Sequence, residues 1–165
     1  MRMNLVLLMI LATHTAYGQA ASTEVRLSLI VPQAACTLVL QEGVNFGPVT
    51  GSEQMISLST NASSGKRQRF GRFTLIGKHT SDYMVSVDFP RQITGPGDPL
   101  TYEGQWAQAK NSNEPYEAVY GQTLHQVTTG SFEQHFRVGG SVKGLSANTK
   151  PGLYVGKISI TTTCN

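Results

Sequence analysis

The two cysteines are the residues of this sequence whose type and spacing predict the most definite chemistry. Cys36 and Cys164 are the only thiols in 165 residues, and the second of them is the penultimate residue. In an oxidising compartment two cysteines usually pair, so we expect a disulfide between them, with two buried free thiols as the alternative. A disulfide requires Cα atoms within about 7 Å of each other. The strands that carry the two cysteines must then be neighbours.

A second group of residues has side chains suited to binding a ligand. The basic stretch that begins at position 66 could hold an acidic glycan, a lipopolysaccharide or a nucleic acid, although a solvated hairpin has the same composition. The aromatic rings of Tyr102, Trp106, Tyr116 and Tyr120 could stack on the apolar faces of sugars. The alternative is core packing or an ordinary exposed loop. The candidate ligand-surface residues are Tyr102, Trp106, Tyr116, Lys66, Arg67 and Arg69.

Short motifs typical of catalytic and metal sites are missing from the sequence. The histidines have no partner at the spacing of an HExxH or a Cys/His zinc site, and no Gly-x-Ser-x-Gly nucleophile elbow occurs. The carboxylates of Glu114 and Glu117 flank a proline and do not identify a glycosidase. We therefore expect no enzymatic activity, no metal ion and no cofactor.

The composition excludes several classes of protein. Charged residues make up 14% of the chain, whereas about 25% is usual for soluble domains. This low charge argues against a helical bundle, and the apolar content argues against disorder. A formal net charge of +3 is too small by itself to indicate a nucleic-acid partner. The length predicts one domain.

Residues 1–18 have the features of a secretory signal peptide. Arg2 gives a basic start, residues 5–12 form an uncharged apolar run, and small residues surround the cleavage position at Gly18. The apolar run is shorter than the roughly 20 residues that span a bilayer; a buried N-terminal helix is the alternative. Cleavage after Gly18, or after Ala20, would leave an exported chain in which no later stretch could cross a membrane.

The rest of the sequence predicts short strands separated by turns. Gly, Pro and Asn end the apolar runs, and no segment keeps a helical period. Many short strands predict an all-β sandwich or barrel. The least regular part, residues 106–129, predicts a long loop or a poorly formed edge. The first run has a period of two. Its apolar members are Val25, Leu27, Leu29 and Val31.

Two groups of motifs resemble bacterial fimbrial proteins. The letters AAC at 34–36 and VNFGPV at 44–49 are similar to subunits of chaperone–usher fimbriae and to the spore coat U relatives. The letters FRVGGSV at 136–142 and PGLYVGKISIT at 151–161 are similar to the family called domain of unknown function 4402. The chain therefore resembles a pilin-like β-sandwich family over nearly all of its length after the extension.

Two features depart from that family's pattern. Fimbrial subunits usually join their first two strands by a disulfide, whereas the second cysteine here is Cys164, close to the end of the chain. The closing position of the family is often tyrosine and is Cys164 in this sequence. The pairing of the strands is therefore the part of the likeness that most needs a structure.

The resemblance implies an immunoglobulin-like antiparallel β-sandwich over residues 36–165. Residues 19–35 would be an N-terminal extension and a candidate donor strand, which completes the sheet of another subunit by main-chain hydrogen bonds and alternate apolar side chains. The four apolar residues of the first run are the candidate donor-strand residues. The alternative is that this run is the domain's own first strand.

The same resemblance implies a function and a location. The protein would be an exported structural subunit of a fimbria-like surface filament, assembled by β-strand donation and delivered to the cell surface through the periplasm. Its implied partners are identical or related subunits, a periplasmic chaperone and an outer-membrane usher, with no nucleic acid. The alternative is a self-contained secreted or periplasmic binding module, such as an adhesin or a carbohydrate binder.

Overall fold

The computed structural model describes residues 21–30, 36–49, 54–60, 68–78 and 81–165. Every regular element in these ranges is a β-strand, and no helix occurs in them. The strands in chain order are β1 Ala21–Ile30, β2 Cys36–Glu42, β3 Val44–Val49, β4 Met55–Leu58, β5 Gly71–Gly77, β6 Ser81–Asp88, β7 Gln92–Ile93, β8 Leu100–Ala109, β9 Glu117–Val119, β10 Thr123–Thr128, β11 Phe132–Lys143 and β12 Leu153–Cys164.

These strands form two sheets. The five-stranded sheet has the order β10-β6-β12-β1-β3. The seven-stranded sheet has the order β2-β5-β11-β8-β7, with β4 paired to β11 and β9 paired to β8. The pairings between these strands are antiparallel, except that β1 runs parallel to β12. The first described strand therefore lies beside the last one.

One hydrophobic core lies between the two sheets. The ring of Phe46 on β3 contacts that of Tyr102 on β8, with centroids 6.0 Å apart, and Tyr83 on β6 stacks on Phe132 of β11 at 5.0 Å. Both pairs join one sheet to the other, and the buried apolar side chains form a single cluster. The expectation of an all-β, sandwich-like fold is confirmed at this level.

The period of two in the sequence accounts for much of the burial. On β6, Tyr83 and Val85 are fully buried, whereas Met84 between them is 40% exposed. Successive side chains of a strand point to opposite faces, so alternating apolar residues place one face in the core. The free energy of burying such side chains is about 1.5–3 kcal/mol each.

The long loop expected for residues 106–129 is wrong, whereas the alternative of an edge is found in part, because β10 lies at one end of the five-stranded sheet. β8 continues to Ala109, and β9 and β10 occupy much of the remainder. Trp106 pairs with Val119 across β8 and β9. β10 pairs with β6 along its whole length, and its six residues alternate between exposed and half-buried positions. The sequence of β10 does not indicate a strand, because polar residues interrupt the apolar alternation. Its extended conformation is evident only from its pairing with β6.

Some sequence predictions lie outside the described residues. The signal peptide at 1–18 is one, and the donor-strand candidate Val31 and the basic residues Lys66 and Arg67 are others. Among the residues that the structure describes, no helix is long and apolar enough to span a membrane.

Candidate functional site

Strand β1 occupies an interior position of the five-stranded sheet. It pairs in parallel with β12, where Leu27 is in register with Ile158 and Leu29 with Ile160. On its other side it pairs antiparallel with β3, with a shift of register between Thr23 and Glu24. The backbone of β1 is therefore paired along both edges, and its chain direction matches that of β12.

The two strands that hold β1 contribute deeply buried side chains to the core. Ile158 and Ile160 on β12 are fully buried, as is Val44 on β3, and Phe46 is 1% exposed. Without β1, the facing edges of β12 and β3 would carry unpaired N–H and C=O groups next to these apolar side chains. Such an edge is a template for another strand. The position of β1 is thus a slot that a strand must fill.

The predicted disulfide joins the two sheets. Cys36 and Cys164 are bonded, with Cα atoms 6.1 Å apart. Cys36 begins β2 in the seven-stranded sheet and Cys164 ends β12 in the five-stranded sheet, so the two strands are neighbours across the core. The hydroxyl of Thr162, which is 1% exposed, lies 3.8 Å from the sulfur of Cys164. The disulfide prediction is confirmed.

This disulfide divides the chain into a closed ring and a free strand. The ring runs from Cys36 to Cys164 and includes β2 to β12. Of the strands that the structure describes, β1 alone lies outside it. Residues 31–35 connect β1 to the ring at one end. β1 could therefore leave its slot without any covalent bond being broken.

The donor-strand candidates fall on this element. Val25, Leu27 and Leu29 lie in β1, where Val25 is in register with Gly156 on β12 and with Val44 on β3. The residues singled out by their alternation in the sequence are therefore residues of the one described strand outside the ring.

Two of the ligand-surface candidates belong to the core. The side chains of Trp106 and Tyr102 are 2% and 3% exposed, and they do not form an open stacking face. The indole Nε1 of Trp106 donates a hydrogen bond to the carbonyl of Gly121 at 2.7 Å. The hydroxyl of Tyr102 donates one to the carbonyl of Gly139 at 2.7 Å. With their polar atoms paired, both rings can be buried, and burial raises the pKa of Tyr102.

The same two rings help to line a cleft of about 550 Å³ beside β8 and β9. Phe89, Arg91 and Tyr120 are also among its lining residues. Tyr120 is 91% exposed. The volume is in the range of small-molecule sites, about 300–1,000 Å³. Of the aromatic residues that the sequence suggests for a sugar-stacking face, Tyr120 is the one that could meet a ligand in this cleft.

Tyr116 and Arg69 are not among the residues that line this cleft, and Tyr116 lies beside Arg137. The guanidinium carbon of Arg137 is 3.9 Å from the ring centroid of Tyr116 and 5.3 Å from that of Phe70. Arg69, next to Phe70, forms an ion pair with Glu42 at 2.9 Å. Arg137 was missed from the sequence because it is the single arginine of β11 and lies outside the basic stretch. Its parity along β11, opposite to that of the core residues, is the signal that could have found it.

The described residues show no group of three or more His, Cys, Asp or Glu side chains placed to hold a metal ion. The histidine closest to the core, His135, has its Nδ1 3.2 Å from the hydroxyl of Thr74 and its Nε2 3.5 Å from a carboxylate oxygen of Glu133. Both ring nitrogens have a neighbour on the same sheet. This geometry is that of a surface network on paired strands.

Comparison with known proteins leaves the assignment to the structure and the sequence. A scan of protein-family models and a search of curated proteins both return no match for this chain. The likeness to fimbrial proteins therefore rests on the sequence motifs.

Proposed function

We propose that this protein is an exported structural subunit that assembles by exchanging β1 between copies, into a fimbria-like surface filament. The observation that carries the proposal is the placement of β1 outside the ring closed by Cys36 and Cys164. The ring keeps the rest of the sandwich together, and the slot between β12 and β3 needs a strand. Another copy carries the same strand and can supply it.

The energetics favour exchange over simple loss of the strand. An exchanged β1 would form the same two ladders with β12 and β3 as its own chain's strand does, so the contacts are conserved. The empty slot would instead leave buried groups unpaired. Pro32, in the connecting segment, disfavours helical backbone at the residue before it and so favours an extended connection. An extended connection suits a strand that reaches into a neighbouring copy.

The direction of donation decides what is built. If each copy donates its strand to the next, the contact is head-to-tail and propagates into a filament. If two copies exchange strands reciprocally, the contact closes into a dimer. The order of the sequence motifs resembles that of fimbrial subunits, which supports the open arrangement. The proposal includes an immunoglobulin-like sandwich, export by the signal at 1–18, and a chaperone and an usher as assembly partners.

The size of the assembly that forms on refolding tests this proposal. Residues 19–165, refolded at high concentration and run on gels without heating, should give a ladder that collapses to a monomer on boiling. Deletion of residues 19–31 should abolish the ladder. A synthetic peptide of residues 21–31 should restore a folded monomer from that deletion, which keeps the test informative if the deletion alone is unstable. A stable monomer that is unaffected by the deletion would contradict the proposal.

A second candidate function is a self-contained binding module. It is favoured by two observations: β1 completes the sheet of its own chain, and the cleft beside β8 and β9 has the exposed Tyr120 among its lining residues. A monomer that binds glycans on an array, and loses that binding when Tyr120→Ala is introduced, would support this function. The variant Val127→Ala is a matched control, because Val127 is also exposed, at 69%, and is not among the residues that line the cleft.

A further inference from the structure

Arg137 has an environment that the fold alone does not explain. It lies on β11, in register with Arg72 on β5 and with Ala107 on β8. Its guanidinium lies within cation–π distance of Tyr116 and Phe70. The two rings offer no hydrogen-bond acceptor of the strength of a carboxylate, so the N–H groups of the guanidinium still need a polar partner.

Those N–H groups lack acceptors. The Nε of Arg137 is buried and has no hydrogen-bond partner, and no residue in the described part of the chain accepts a hydrogen bond from this side chain. A guanidinium has five N–H donors and carries its charge at all relevant pH values. Buried polar groups are nearly always paired, and an exception calls for an explanation such as a missing ion.

The described side chains offer no carboxylate to fill this gap. Glu42 pairs with Arg69 and Arg72, and no ion pair between described residues includes Arg137. Glu53 is the only acidic residue outside the described ranges. The described acids therefore leave Arg137 open to a carboxylate of another molecule.

We propose that Arg137 and Tyr116 form a binding site for the carboxylate of an acidic saccharide. A carboxylate fits the planar fork of one arginine through two parallel hydrogen bonds. Phosphate or sulfate usually draws on several cations, but the two neighbouring arginines already share Glu42. Tyr116 offers an aromatic surface next to the guanidinium, on which the apolar face of a sugar ring can lie. The site does not depend on strand exchange.

The surroundings of the site favour an anionic ligand. The side chains of Arg69 and Arg72 are 69% and 46% exposed, and both pair with the single carboxylate of Glu42. Such a local excess of positive charge raises the concentration of anions near the surface and accelerates their association.

Calorimetric titration with oligomers of galacturonic acid tests the site. Saturable binding is expected, and Arg137→Gln should weaken it at least tenfold. Arg137→Lys keeps the charge but not the fork, and should weaken binding by a similar factor while preserving the fold. Arg91→Gln is the matched control, because it removes an equal charge from the cleft, and should leave binding within twofold. Emission of the single Trp106 reports whether each variant is folded.

Two further ligands distinguish specific binding of the carboxylate from general electrostatic attraction. Methyl-esterified oligomers have the same sugars without the charge and should not bind. A sulfated glycan of equal length should bind weakly and respond equally to Arg91→Gln and Arg137→Gln. The proposal is overturned if galacturonate oligomers do not bind, or if the Arg137→Gln variant binds them as well as the unmodified protein does. It is also overturned if Arg91→Gln weakens their binding as much as Arg137→Gln does.

Discussion

The Cα atoms of Cys36 and Cys164 lie 6.1 Å apart, although the two residues belong to strands of different sheets. Their disulfide joins the start of β2 to the end of β12, and so holds the two layers together at one end of the sandwich. The segment from Cys36 to Cys164 is therefore a covalently closed ring. The first strand is tied to the fold by backbone pairing and by the short segment that precedes Cys36.

Removal of the disulfide should cost much of the stability. A crosslink that encloses over a hundred residues reduces the conformational entropy of the unfolded chain. By this entropic effect it contributes about 4–5 kcal/mol to the free energy of unfolding. We expect the double variant Cys36→Ser, Cys164→Ser to lower the free energy of unfolding by about 2–5 kcal/mol in urea. Reducing agent should lower the free energy of unfolding of the unmodified protein by the same amount and leave that of the double variant unchanged. Equal urea midpoints for the two proteins would contradict this role.

Gly140 should tolerate no side chain. Its φ is 140°, and a Cβ added there would lie 2.2 Å from the carbonyl oxygen of Glu103 on the neighbouring strand. Gly140→Ala should therefore destabilise the protein by more than about 3 kcal/mol, from backbone strain and the steric clash together. Gly121→Ala is the control, because its φ of 86° is also positive but no atom lies within 4 Å of an added Cβ. It should cost about 1–2 kcal/mol, and equal losses for both variants would show that the clash has no effect.

Stability should fall at alkaline pH because of buried tyrosines. Burial raises the pKa of Tyr83 from its ordinary value of 10.0 to about 12. The folded state then holds the phenolic proton more tightly than the unfolded state does. The contribution of Tyr83 is complete below pH 10 and is lost as the pH rises towards 12. Urea midpoints measured from pH 8 to 12 should be flat at first and then decline.

Two conservative variants assign that alkaline decline. Tyr83→Phe should make it shallower, since the titrating group is gone while the ring that stacks on Phe132 remains. Tyr120→Phe should leave the slope unchanged, because Tyr120 is 91% exposed and folding buries almost none of its side chain. If both variants change the slope equally, burial of Tyr83 is not its cause.

The sequence predicts the faces of strands better than their partners. The alternation of Tyr83 and Val85 identifies β6 and its buried side, because side-chain direction has a local period. Nothing local states that β1 runs parallel to β12, since pairing joins residues more than a hundred positions apart. The disulfide was predictable because only two cysteines exist.

The candidate ligand surface shows the same limit. The sequence allows Trp106 either a sugar-stacking face or the core, and the carbonyl of Gly121 satisfies its indole N–H and allows burial. Arg137 does not stand out in the sequence, because its importance comes from Tyr116, which is brought beside it by the pairing of β9 with β8 and β8 with β11. Both outcomes depend on contacts between distant segments.

The exchange of β1 is tested most directly by crosslinking positions 28 and 159. Ser28 on β1 is in register with Ser159 on β12, and adjacent strands are about 4.8 Å apart, within reach of a disulfide. The single variants Ser28→Cys and Ser159→Cys are mixed, unfolded, refolded together and oxidised. A bond between the two positions can then form only between two chains, and each variant refolded alone is the control.

Strand exchange predicts that the mixture gives a covalent pair of chains, in which peptide mapping finds the bond between positions 28 and 159. It also predicts that the chain carrying both substitutions gives a ladder of covalent multimers on a non-reducing gel. The account is contradicted if the mixture contains no such bond while the doubly substituted chain forms it within a monomer.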